Sequence, residues 1–163
     1  MQTKTPIYRP VAGGSMSIID IPKNRALLAL NLRGEGIEIG ALDGPVQVPG
    51  DMRARYVDYK PTHELRQQFP ELADDIVSVD FVASADKLEV IANNSQDFMI
   101  ANHVTEHVPN PMGALELWYN KLRDGGLLYL AFPLKEYCPD AVRPLTSIQH
   151  LLQDYEAERE GLP

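Results

Sequence analysis

An uninterrupted apolar run at residues 98–101, within the stretch QDFMIANHV, constrains the fold of this chain more than any other feature. A strand with one face in solvent alternates apolar and polar residues, whereas a strand buried on both faces is apolar throughout. Strands buried on both faces are typical of parallel sheets, in which helices connect successive strands and cover the sheet. The run therefore predicts a central strand of a parallel α/β sheet.

Strand-like and helix-like patterns alternate on either side of this run. Further strands are predicted in GIEIGA (36–41), ARYVDYK (54–60), DIVSVDFV (75–82) and LLYLAFP (127–133). Helices are predicted in HELRQQFPEL (63–72) and in NPMGALELWYNKLRDGG (110–126), which Asn110 would cap and Gly125 and Gly126 would end. The alternation predicts an α/β fold, a Rossmann-like open parallel sheet of about five strands flanked by helices.

The chain of 163 residues is long enough for one domain with a substantial core. Residues 1–20 contain prolines and glycines with little periodicity, and we expect them to form an N-terminal arm. Residues 21–163 are expected to form a single domain with its core at 35–135. A C-terminal helix is predicted at about 145–160, where Thr146 or Ser147 could cap it.

Composition excludes several classes of partner. The formal net charge is −8, which disfavours a nucleic-acid surface because phosphate binding needs a basic one. No stretch approaches the roughly 20 apolar residues of a membrane helix. Cys138 is the single cysteine, so there is no internal disulfide framework. We expect a cytoplasmic protein with no nucleic-acid or membrane partner.

The stretch NHVTEHV contains His103, Glu106 and His107 with the H-x-x-E-H spacing of one group of zinc proteases. A zinc site of that kind needs a helix to bring both histidines to one side. Pro109 and Pro111 leave room for a single turn, and no third ligand is evident. We therefore expect no metal, and we predict a loop at the carboxyl end of a central strand, where ligands of open α/β sheets bind.

Acidic residues occur near the predicted ends of three strands: Glu38, Asp58 and Asp80. Each alone has an alternative structural explanation as a turn, strand-end or helix-capping residue. Together they suit a nucleoside, since an acid about 20 residues after the first strand can accept hydrogen bonds from ribose hydroxyls. The chain lacks the G-x-G-x-x-G pattern of dinucleotide folds, and Asp43 in the first loop would repel phosphate.

These motifs resemble class I S-adenosylmethionine-dependent methyltransferases. The resemblance covers residues 35–135 and rests on E-x-G-x-x-x-G at 38–44, Asp58, VDF at 79–81, DFMIANHVTEHVPNP at 97–111 and LRDGGLLYLAFP at 122–133. It is strongest to small methyltransferase-domain proteins met near sugar- and polysaccharide-modifying enzymes. In that fold a sixth strand and an antiparallel hairpin partner normally follow, whereas the sequence after Pro133 predicts only loop and helix. We therefore expect these strands to be missing from the sequence, because the protein is a shortened form, because the chain is truncated, or because a partner supplies them.

The resemblance implies S-adenosylmethionine as cofactor and a role for each matched residue. The first loop would lie against the methionine and ribose, Glu38 would orient the ammonium group, and Asp58 would hold the ribose hydroxyls. Tyr59 would flank the adenine, and Asp80 would accept a hydrogen bond from its amino group with Phe81 packed on the ring. Asn102 and His103 would line the floor under the reactive methyl. The implied cofactor-binding residues are Glu38, Gly40, Ala41, Leu42, Gly44, Asp58, Tyr59, Asp80, Phe81, Asn102 and His103. Leu42 stands where many relatives have a second glycine, which predicts a stiffer loop.

The expected function is methyl transfer from S-adenosylmethionine to a small-molecule or saccharide acceptor. His103 and His107 are the candidate catalytic bases. The alternative is a catalytically inactive module that binds the cofactor or its demethylated product, or that serves interaction. A nicotinamide oxidoreductase is disfavoured by the glycine pattern. An open edge at the fifth strand predicts a homodimer or capping by the C-terminal helix.

Overall fold

The computed structural model describes residues 29–50, 52–138 and 141–160, the last two without their side chains. The predicted N-terminal arm therefore lies outside the described residues. Five parallel strands form one sheet in the order β3-β2-β1-β4-β5. The strands are β1 (Glu35–Ile39), β2 (Arg53–Asp58), β3 (Phe81–Val82), β4 (Gln96–Asn102) and β5 (Leu122–Ala131), and the α-helices are α1 (Thr62–Gln68), α2 (Pro111–Lys121) and α3 (Ile148–Glu160). The predicted fold class is confirmed.

The central strand is β4, and its apolar run is buried on both faces as predicted. Residues 98–101 are all fully buried. Met99 and Ala101 belong to a core cluster that includes Trp118 of α2, whereas Phe98 and Ile100 belong to a second cluster on the other face. A continuous apolar run therefore stabilises the sheet from both sides, because each face is covered by other apolar groups.

Helix α2 begins where the sequence predicts. The side-chain oxygen of Asn110 accepts a hydrogen bond from the Gly113 N–H at 2.9 Å, and Pro111 occupies the first turn. Such a cap satisfies one of the N–H groups that a helix start leaves unpaired. On the sheet-facing side, the buried Trp118 donates its indole N–H to the Ala85 carbonyl at 2.7 Å.

The end of α2 differs from the prediction. The helix ends at Lys121 rather than at Gly125 and Gly126, and β5 begins at once with Leu122. Gln96 of β4 lies opposite Leu122, but Phe98 lies opposite Leu127, so β5 carries extra residues in a bulge. Gly125 has φ +78° within this bulge, a conformation that glycine adopts without steric cost. The two glycines therefore lie in the bulge of β5 and do not end α2.

Strand β3 is shorter than predicted, because only Phe81–Val82 of the expected stretch 75–82 is a strand. Asp80 therefore precedes the strand and does not end it. Its N–H donates to the Tyr56 carbonyl at 2.8 Å, and its carboxylate accepts the Tyr56 N–H at 2.7 Å. These two hydrogen bonds join Asp80 to β2 just before the regular pairing between β2 and β3 begins.

Helix α3 lies within the predicted range and packs against α2. The Ser147 hydroxyl accepts the His150 N–H at 3.2 Å, which confirms the serine as a capping residue. Tyr155 donates its hydroxyl proton to Glu116 of α2 at 2.8 Å. Within the described ranges no strand follows β5, and no helix there is long and apolar enough to cross a membrane.

Candidate functional site

The carboxyl ends of β1, β2 and β4 lie side by side because β1 pairs with both of the others. Gly40, directly after β1, donates its N–H to the Val57 carbonyl of β2 at 2.9 Å. A Cβ atom at Gly40 would lie 3.3 Å from a methyl carbon of Val104, which follows β4, and the residue has φ +66°. The loop after β1 therefore passes closely between β2 and the segment that follows β4, and glycine suits both the space and the backbone angle.

Glu38 lies inside β1 and is buried, with 1% of its surface exposed. Both of its carboxylate oxygens accept the Val46 N–H, at 3.1 and 3.0 Å. The carboxylate thus anchors the far end of the loop that begins at Gly40. Burial and then the nearby Glu38 charge raise the pKa of Tyr56, as expected beside a buried negative group.

The loop itself has a defined shape. Leu42 has φ +48°, a left-handed conformation that is costly for a residue with a Cβ atom, and its carbonyl accepts the Val77 N–H at 2.9 Å. Ala41 and Leu42 are half-buried, whereas Gly44 is exposed with open space around its Cα. A glycine would adopt the Leu42 conformation without strain.

Asp58 ends β2 as predicted and is 7% exposed. One carboxylate oxygen accepts the Tyr59 N–H at 2.8 Å. Burial raises the pKa of Asp58, and hydrogen bonds from the backbone of Tyr59 and Lys60 oppose part of that effect. The neighbouring Tyr59 is 55% exposed and donates its hydroxyl proton to Gln68 at 3.0 Å.

The predicted adenine-contacting residues lie before and within β3. The Asp80 carboxylate is bonded to the β2 backbone, and the Arg55 guanidinium lies over the Phe81 ring, 4.9 Å from its centroid. At the carboxyl end of β3 the chain instead places Ala83 and Ser84, and Ala83 donates its N–H to the Asp58 carbonyl at 2.9 Å. The sequence analysis took Asp80 as the end of this strand and therefore did not consider Ala83 and Ser84, which follow the observed end at Val82.

Asn102, the last residue of β4, carries the clearest sign of a ligand. Its side-chain nitrogen and oxygen are both buried and have no hydrogen-bond partner in the described part of the protein. The Thr105 hydroxyl, three residues on, is buried and unpartnered as well. An unpartnered buried polar group costs free energy, so polar groups of a bound molecule or water would stabilise this end of β4.

His103 follows Asn102 in a strained conformation with φ +56°. Its N–H donates to the Ala131 carbonyl of β5 at 2.9 Å, which holds the backbone in place. The exposed imidazole approaches Glu106 with 3.4 Å between Nδ1 and the nearest carboxylate oxygen. Non-glycine residues with positive φ are uncommon and concentrate at functional sites.

The H-x-x-E-H stretch forms a loop and not an α-helix, as predicted. His107 is exposed at the end of a single 3-10 turn, Thr105–His107. In the described ranges no group of three or more His, Cys, Asp or Glu side chains is placed to hold a metal ion. The loop thus brings a histidine–glutamate pair to the carboxyl end of the sheet.

The sequence matches a family model described as a methyltransferase domain over residues 15–161. No curated protein sequence matches the chain. The family match spans most of the chain, including the whole sheet and both the Gly40 loop and the segment after β4.

Solved structures of methyltransferases share the fold. A SAM-dependent methyltransferase from Thermotoga maritima is 23% identical, with a TM-score of 0.50, and the match covers 86% of this chain and 58% of that one. A SAM-dependent methyltransferase from Aquifex aeolicus is 13% identical with a TM-score of 0.51, over 83% of this chain and 77% of that one. A Haloferax volcanii methyltransferase, solved in complex with the Trm112 methyltransferase activator, is 21% identical with a TM-score of 0.50, over 68% and 52%. The chain thus spans little more than half the length of the Thermotoga and Haloferax proteins.

Proposed function

We propose, from the premise that this chain belongs to the methyltransferase-domain family, that it binds S-adenosylmethionine at the carboxyl rim, the edge of the sheet where β1, β2 and β4 end. We further propose that it transfers the methyl group to a small-molecule or saccharide acceptor. The observation that carries the proposal is the pair of buried carboxylates, Glu38 and Asp58, on either side of the loop at Gly40. Such a site suits a ligand that combines positive charge with ribose hydroxyls. When bound, the cofactor supplies an electrophilic methyl group on a sulfonium.

The charge of the rim discriminates between adenosine-containing ligands. Glu38 and Asp58 would attract the ammonium and sulfonium charges of S-adenosylmethionine and would repel a pyrophosphate. Asp43, exposed in the same loop, adds negative charge where a dinucleotide fold places its phosphates. The unpartnered amide of Asn102 offers both a donor and an acceptor to the ligand. The net charge of −8 likewise favours a small-molecule or saccharide acceptor over a nucleic acid.

His103 is the stronger candidate for the catalytic base. With Nδ1 directed at Glu106, the proton of the neutral imidazole belongs on Nδ1, which leaves the Nε2 lone pair to take a proton from an acceptor hydroxyl or amine. Glu106 would orient the ring and stabilise the imidazolium that forms, which makes it a positioning residue. His107 is exposed one turn further on and remains the second candidate.

A pair of asparagine variants tests the base. His103→Asn keeps a side chain that tolerates positive φ but removes the proton acceptor, so kcat at saturating S-adenosylmethionine should fall about 100- to 10,000-fold. His107→Asn is the matched control and should have a much smaller effect. Turnover is measured with methyl-labelled S-adenosylmethionine and a panel of monosaccharides, nucleotide sugars, phenols and amines. Full activity of His103→Asn, with loss in His107→Asn, would assign the base to His107 instead.

The second candidate function is an inactive cofactor-binding module. It is favoured by the absence of any strand after β5 in the described residues. Calorimetric titration with S-adenosylmethionine, S-adenosylhomocysteine and NAD separates the hypotheses. Binding of the first two with turnover supports the enzyme, binding without turnover on the whole panel supports the module, and binding of NAD alone would contradict both.

A further inference from the structure

Ser84 follows the carboxyl end of β3, close to the carboxylate that is proposed to hold the ribose. Asp58 of β2 lies opposite Val82, the last residue of β3. The Ala83 N–H donates to the Asp58 carbonyl at 2.9 Å, so the chain that leaves β3 stays beside β2 for one more residue. Neighbouring strands are about 4.8 Å apart. A nucleoside with its ribose at Asp58 therefore has room to extend its base over the end of β3, where Ser84 lies.

The segment that carries Ser84 has a fixed backbone. Ala83 and Ala85 are partly buried and pack against the core cluster of Trp118, and the Ala85 carbonyl accepts the Trp118 indole N–H at 2.7 Å. The Ser84 carbonyl accepts two N–H groups from the turn that follows, both at 3.1 Å. Ser84 itself is exposed between the two packed alanines. Its side chain is thus open to a ligand, while hydrogen bonds and packing hold its backbone in place.

The proton of the Ser84 hydroxyl is already used in a hydrogen bond. The hydroxyl donates to a carboxylate oxygen of the half-buried Asp86, two residues on. A free hydroxyl can donate or accept, so it accommodates either an amino group or a carbonyl oxygen. With its proton held by Asp86, the Ser84 oxygen offers only lone pairs to a ligand. It therefore accepts a hydrogen bond from an amino group and repels a carbonyl oxygen.

We propose that Ser84 selects the base of the cofactor by accepting a hydrogen bond from the adenine amino group, and that Asp86 is the positioning residue that directs the hydroxyl. The inference rests on the proposed cofactor site. Asp80, for which the resemblance implies this role, precedes β3, and its carboxylate accepts the Tyr56 N–H at 2.7 Å. Hypoxanthine, which carries a carbonyl oxygen in place of the amino group, would set lone pairs against the lone pairs of Ser84.

Calorimetric titration with S-adenosylhomocysteine and its deaminated analogue S-inosylhomocysteine measures this selection as a ratio of two Kd values. The wild-type protein should prefer the adenine ligand roughly 5- to 150-fold, because the mismatched base leaves polar groups unpaired. Ser84→Ala should bring the ratio close to one. Ser95→Ala is the matched control, since Ser95 directly precedes β4 at the opposite end of the sheet, and it should leave the ratio unchanged.

Two substitutions of Asp86 separate positioning from a merely structural role. Asp86→Ala frees the Ser84 proton, so the hydroxyl can donate to hypoxanthine and the ratio should fall as it does in Ser84→Ala. Asp86→Asn keeps an oxygen that can accept this proton and should retain most of the preference. An unchanged ratio in Asp86→Ala would overturn the positioning role, because loss of a purely structural contact weakens both ligands equally.

The ratio in the wild-type protein tests the proposal even if a variant folds poorly. Equal affinity for the two ligands would overturn the selection by Ser84, as would a preference that persists in Ser84→Ala. Either result leaves the proposed function intact, because S-adenosylhomocysteine still binds. A wild-type protein that binds neither ligand would overturn the proposed function as well.

Discussion

Asp58→Asn tests the proposed cofactor site most directly. The substitution preserves the side-chain shape, and the amide oxygen can still accept the Tyr59 N–H that Asp58 accepts at 2.8 Å. It removes the negative charge and turns one acceptor into a donor. In the proposal the carboxylate accepts hydrogen bonds from the ribose, and hydrogen bonds to a charged group contribute about 1.5–3 kcal/mol. We therefore expect the Kd for S-adenosylmethionine to rise roughly 10- to 150-fold.

Asp58→Asn should weaken cofactor binding without lowering the stability of the fold. Burial raises the pKa of Asp58 above its ordinary 3.8, so the folded state holds this proton more tightly than the unfolded state does. The contribution of Asp58 to stability therefore falls as pH rises from the unfolded pKa through the raised folded one. Above that window the charged Asp58 is a cost that the asparagine lacks. The variant should melt no lower than the wild-type protein at pH 7 and bind less cofactor.

Calorimetric titration across pH completes the assay. Wild-type affinity should decline as pH falls through the raised pKa of Asp58, whereas the affinity of Asp58→Asn should not follow that titration. Asp124→Asn removes the same charge from the β5 bulge, away from the rim, and should leave the Kd unchanged. Unaltered affinity in Asp58→Asn would refute the assignment of the ribose to this carboxylate. A strong loss of stability would show that Asp58 holds the fold instead.

Two further predictions concern the scaffold around the site. Gly36→Ala should lower the free energy of unfolding by at least about 1–3 kcal/mol, because the new Cβ would overlap the Phe98 carbonyl and ring. Denaturant unfolding measures this change, and a variant as stable as the wild-type protein would contradict the close approach of β1 and β4. Asn110→Ala should lower the free energy of unfolding by about 0.5–2 kcal/mol, because the hydrogen bond that caps the helix at Gly113 is lost. Asn110→Asp keeps the acceptor and should lower it less at the cap, but it should weaken the contact with Glu158. Equal melting temperatures for the wild-type protein and both variants would argue against the capping role.

Much of the fold follows from local sequence. The apolar run of β4, the Asn110 cap and the Ser147 cap depend on residues that are neighbours along the chain, so periodicity and capping chemistry predict them. The same holds for Asp58, because a strand pattern followed by an acid places that acid at the carboxyl end. These features predict acidic residues near the carboxyl ends of the strands before any tertiary contact is known.

Tertiary contacts decided the rest. Gly125 and Gly126 have the sequence of a helix end, but pairing with β4 sets the register and turns them into a strand bulge. Asp80 has the sequence of a strand end, but its bonds to Tyr56 place it before a two-residue strand. The positive φ of His103 is likewise held by a hydrogen bond to Ala131 on another strand. Sequence periodicity reports what a segment prefers by itself, whereas register, strand length and backbone strain depend on partners distant in sequence, which only the folded sheet brings together.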